Sequence, residues 1–123
     1  MKSLLTAAVL SSAFIAGQSL ACDLPTKPTL PDGSTADMSA MVAGQQAVKA
    51  YQQELGGYRD CVNADIDKAE KALKDAESEE EKAALKAEHA AAVANFNKAV
   101  EMEEKVAGEF NLAIRAFNAK KNK

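Results

Sequence analysis

Apolar residues recurring every seven positions constrain this chain more than any other feature. Met41, Val48, Leu55, Val62 and Ala69 form one row, Tyr51, Tyr58 and Ala72 a second, and Ile66 and Leu73 widen the stripe. A stripe of this period lies along one face of an α-helix and makes a seam for packing against another helix. From Glu79 the pattern resumes through Leu85, Ala92, Ala99, Val106 and Ala113, with Val93, Phe96, Val100, Phe110, Ile114 and Phe117 on the same side. The spacing predicts an all-α domain over residues 35–123, with helices at about 35–76 and about 79–119. At about 1.5 Å per residue each helix runs roughly 60 Å, so a long antiparallel, coiled-coil-like hairpin is the economical assembly.

Local signals set the expected ends. Ser34 and Asp37 have the spacing of a capping box, which places a helix start near Thr35, and Ser78 with Glu81 repeats that spacing after a tight turn at 76–78. Lys120, Lys121 and Lys123 complement the negative end of a helix dipole and favour a stop close to Ala119. Gly56-Gly57 costs about 1 kcal/mol per glycine relative to alanine, so a kink is expected there. A full break at the pair would give the alternative architecture, a three-helix bundle.

Residues 1–21 read as a secretion signal: Lys2 supplies the positive start, residues 4–16 the apolar stretch, and Ser19 and Ala21 the small residues flanking a cut after Ala21. The apolar stretch is shorter than the roughly 20 residues a bilayer span needs, and no later segment is apolar enough. The expected location is therefore periplasmic or secreted in a bacterium. Loss of the signal changes 15 basic and 18 acidic side chains to 14 and 18. A mildly acidic chain with both signs interleaved lacks the basic face a nucleic-acid binder needs. With no Trp and six other aromatic residues, bulky core side chains are few. A domain this small then needs a staple or a partner.

The staple is legible in the two cysteines, Cys22 and Cys61, because oxidising compartments preserve disulfides. Pro25, Pro28 and Pro31 recur every third residue, which favours an extended polyproline II arm over residues 22–34 with a turn at Asp32-Gly33. Cys22 to Ser34 spans roughly 37 Å at the polyproline rise and Ser34 to Cys61 roughly 40 Å of helix. An arm folded back along the first helix thus brings the cysteines together, with Leu24 and Leu30 expected beside the seam. Closing a loop of about 40 residues contributes up to roughly 4 kcal/mol in the chain-entropy model. A rival reading makes Cys22 the acylated first residue of a lipoprotein, although Ser19 stands where such signals usually carry Leu.

Other candidate sites have plainer readings. His89, the single histidine, sits on the inner stripe without a second His or a Glu three positions before it, so a satisfied core-edge histidine is expected rather than a ligand. Met38, Met41 and Met102 are packing residues rather than a copper cluster. Glu77 and Glu79 to Glu81 lack the turn glycine of a calcium loop and suit a solvated helix start. No G-x-S-x-G or comparable constellation is present, and a disulfide consumes the only thiols. The reading is a non-enzyme without catalytic, metal or cofactor residues.

Cys22, the Pro28 to Gly33 run P-T-L-P-D-G and Tyr58-x-x-Cys61 resemble small uncharacterised exported proteins of proteobacteria, over roughly the first half of the mature chain. The resemblance implies export and a two-cysteine helical design. A looser similarity, in short helical Ala-rich composition, is to the major outer-membrane lipoprotein. The expected function is protein–protein interaction in the cell envelope, with self-association or an unidentified partner. A periplasmic chaperone or stress protein, an envelope lipoprotein acylated at Cys22, and a small-ligand or metal carrier are the alternatives.

Overall fold

A computed structural model describes residues 22–123; the expected leader and its cleavage site lie outside them. Two helices make up the regular structure among the described residues, α1 over Met38–Asp75 and α2 over Glu79–Lys121. They pack antiparallel: Arg59 on α1 pairs with Glu103 on α2, and Glu70 lies 3.1 Å from His89 nearer the connection. The fold is the all-helical hairpin that the seven-residue spacing predicts.

The seam follows the sequence rows closely. Met41, Val48, Leu55, Val62 and Ala69 are buried together with Tyr51 and Tyr58, and they meet Ala92, Ala99, Val106, Phe110 and Phe117 from α2. Leu55, Ala99 and Val106 have no exposed surface at all. Three expected positions lie at the margin instead: Leu24, Val93 and Ile114 are exposed. For Val93 and Ile114 the cause is geometric, because a two-helix contact covers a narrow seam while their rows stand at the edge of the stripe.

The start of α1 differs from the sequence expectation. Asp37, not Ser34, is the N-cap, its carboxylate accepting from the Ala40 N–H at 2.8 Å. Ser34 is held outside the helix, donating through its N–H at 2.9 Å and its hydroxyl at 2.6 Å to the Asp32 carboxylate. Both hydrogen bonds favour ionised Asp32 and pull its pKa below the ordinary value. The bend is completed by the Asp32 carbonyl, which accepts from the N–H groups of Thr35 and Ala36. Asp32 thus makes a turn where Ser34 looked like a cap.

At Gly56-Gly57 α1 continues without a break, which removes the three-helix alternative. Leu55 and Tyr58 on either side are buried in the seam, and this tertiary packing outweighs the low propensity of the pair. The turn lies where expected, with the Ser78 hydroxyl accepting from the Glu81 N–H at 3.1 Å. α2 runs two residues beyond Ala119, to Lys121, and carries Lys120 and Lys121 in its last turn.

Residues 22–32 form no helix or strand and run back along the hairpin. Their period of three has a structural meaning: Cys22, Pro25, Pro28 and Pro31 are half-buried, while Asp23, Leu24, Thr26, Lys27 and Thr29 are exposed. A three-residue turn presents every third side chain to the same surface, so the prolines face the helices and Leu24 faces solvent. Leu30 is the arm's additional apolar contact with the core. Lys27 pairs with Glu109 of α2, tying the middle of the arm down.

Candidate functional site

At one end of the arm two glycines allow close approach. A Cβ added at Gly44 would come within 2.6 Å of the Pro31 ring, and one added at Gly33 within 1.8 Å of the Ala113 carbonyl oxygen. Neither glycine has a positive φ, so closeness of backbone rather than conformational freedom requires them. At the other end Cys22 stands at disulfide-bonding distance from Cys61, with their Cα atoms 5.8 Å apart. The length match between arm and helix is met.

Beyond Cys22 the interhelical face has no third layer. A groove of about 490 Å³ opens there, with Tyr58, Val62, Ala69, Ala72, Leu85 and Ala92 along its floor and walls. Its rim carries Asp65, Lys68, Glu88 and Asn95. The groove exists because alanine occupies seam positions that hold leucine, valine or aromatic residues under the arm. Small side chains leave volume that neither helix fills.

The electrostatics of this surface are mild. Asp65 brings a carboxylate oxygen to 3.5 Å from the Cys22 sulfur, a contact rather than a hydrogen bond because a disulfide sulfur carries no hydrogen. His89 is half-buried and faces Glu70 across the helices at 3.1 Å. Among the described residues no group of three or more His, Cys, Asp or Glu side chains is placed to hold a metal ion. No described helix is long and apolar enough to cross a membrane.

Under the arm lies the one buried side-chain polar atom without a hydrogen-bond partner among the described residues, the Tyr51 hydroxyl. Burial raises its pKa above the ordinary tyrosine value, and the charge of Lys27 opposes that shift in part.

The structure therefore brings Cys22 and Cys61 together. It sets His89 beside a single carboxylate, and it leaves the acidic run Glu79 to Glu81 at the exposed start of α2. The groove was not read from the sequence, although a signal was present. Seam residues shrink to alanine at Ala69, Ala76 and Ala92, toward the turn and past the reach of the arm. No protein-family model matches this chain, and neither a curated protein nor a solved structure matches it.

Proposed function

We propose that this chain is an exported, non-enzymatic helical protein that acts through protein–protein interaction in the bacterial envelope, in the periplasm or after secretion. The observation carrying the proposal is the uncovered groove beyond Cys22: the arm seals half of the interhelical face and leaves an apolar, alanine-lined half open. An exposed concavity of this kind beside a pinned scaffold suits an apolar segment of another polypeptide. Export is supported by two cysteines at disulfide distance and by the leader-like residues 1–21. A Cys22 bonded to Cys61 has no thiol left to acylate, which favours a soluble envelope protein over a lipoprotein.

Site-specific photocrosslinking in the native cell tests the reading. A photoreactive residue at Lys68, on the rim, is expected to give a discrete adduct that the same residue at exposed Lys98 does not give. Filling the groove with Ala72→Leu is expected to remove the adduct while the helical signal persists. Equal labelling from both positions, or an adduct indifferent to Ala72→Leu, would overturn the proposal. An adduct of twice the chain's mass identifies the partner as a second copy.

A further inference from the structure

The two signs of charge, mixed in the overall count, separate along the folded hairpin. Residues 38–53 of α1 and 110–123 at the end of α2 make up the end away from the turn. They carry Lys49, Arg115, Lys120, Lys121 and Lys123 and no acid. Residues 54–109 carry fifteen acidic and eight basic side chains. The expectation of uniformly interleaved charge is thus corrected by the fold, which lays the acid-free start of one helix beside the acid-free end of the other. Asp32 and Asp37, in the bend before α1, accept from Ser34 and from the Ala40 N–H and offset two of these five positive charges, Asp32 facing Lys120, so the end keeps an excess of three.

The basic end also presents apolar surface. Met38, Val42 and Ile114 are 53%, 45% and 36% exposed, and all three line one shallow groove together with Lys121. Phe110 and Phe117 form its floor. The ammonium groups of Lys120 and Lys121 stand over the Phe117 ring, 5.0 and 5.1 Å from its centre, and Lys120 also donates to the Ala36 carbonyl, so positive charge is held directly against the apolar surface.

We propose that this open end of the hairpin docks on an anionic lipid surface. Charge complementarity and side-chain type together choose the occupant. Aliphatic residues edged by lysines match the interface of an acidic bilayer, where the methyl groups enter the acyl boundary and the ammonium groups meet phosphates. An acidic protein partner is the weaker fit, because protein interfaces are depleted in lysine, which supplies four of the five cations here, and are anchored by Trp and Tyr, neither of which this surface exposes. The surface is separate from the groove beyond Cys22, so its test stands or falls independently of the proposed protein interaction.

Co-sedimentation of the exported protein with vesicles is the test. Vesicles containing phosphatidylglycerol are expected to bring the protein down at low salt, vesicles of phosphatidylcholine alone are not, and raising salt is expected to release it. Replacing Arg115, Lys121 and Lys123 by Gln is expected to weaken partitioning by about five-fold per charge, roughly a hundred-fold together. Val42→Ser with Ile114→Ser, both at exposed positions, is expected to weaken binding while leaving its salt dependence unchanged. Absence of binding to phosphatidylglycerol at low salt, equal binding to both vesicle types, or indifference to the Gln variant would overturn the proposal. Retention by soluble polyglutamate without vesicle binding would also overturn it, pointing to an acidic polypeptide instead.

Discussion

The half of the hairpin covered by the arm and the half left bare use the same two helices in different ways. Under the arm the seam holds Met41, Val48, Tyr51, Leu55, Phe110 and Phe117, and a third layer of proline rings closes it. Toward the turn it holds Ala69, Ala76 and Ala92, with a groove where a third layer would be. The first half resembles a small three-layer core and the second a bare coiled-coil strip. Stability in such a molecule is unequal along its length, and the surface least occupied by its own chain is also the least stabilised.

Breaking the bond between Cys22 and Cys61 should erase most of that inequality. With a sequence separation of 39, its loss in Cys22→Ala with Cys61→Ala is expected to cost about 2–4 kcal/mol in urea unfolding. Amide exchange should quicken around Tyr51 and Phe110 far more than around Ala69 and Ala92. If non-reducing mass spectrometry of the exported protein finds both thiols free, the staple itself is refuted.

The glycines sharpen the same contrast at a smaller scale. Gly44→Ala drives a methyl group into Pro31 and is expected to destabilise by about 1–3 kcal/mol while loosening the arm. Gly57→Ala meets nothing within 4 Å and is expected to stabilise by about 1 kcal/mol. Opposite signs in thermal unfolding are the check, and a neutral Gly44→Ala would mean that the arm is not seated against α1.

The smallest effect belongs to Tyr51. Because its pKa is raised in the folded state, the folded protein holds the phenol proton more tightly than the unfolded chain. The associated stability is full below the ordinary tyrosine pKa of about 10 and is lost as pH rises through the folded value. Tyr51→Phe is expected to change neutral-pH stability by less than about 1 kcal/mol, because an unpartnered hydroxyl contributes little, and to flatten the alkaline decline. An unchanged alkaline profile in urea titrations would show that another group controls it.

Much of this architecture was legible because it rests on periodic signals. The heptad rows located both helices, Ser78 located the turn, and comparing the reach of arm and helix paired Cys22 with Cys61 across 39 positions. What was misread depended on competition between neighbours. Ser34 and Asp37 each have capping chemistry, and with Ser34 engaged by Asp32 it is Asp37 that caps the helix. Leu24 looked like a core residue until the period of the arm placed Cys22, Pro25, Pro28 and Pro31 inward. The groove and the basic end were invisible in composition because each is made by distant segments. Ala72 meets Leu85 around one, and Val42 meets Ile114 in the other, only after the chain folds over.

The pairing of Cys22 with Cys61 also decides how tension would pass through the molecule. With the bond formed, a pull between Cys22 and the far end of α2 crosses directly from one sulfur to the other. Residues 23–60 then form a closed ring outside the covalent path, loaded only through their packing against α2. The arm, the bend at Asp32 and the first half of α1 would stay joined as one unit under stretching, and what yields is the packing of α2 against that unit and across the alanine-lined half beside the turn.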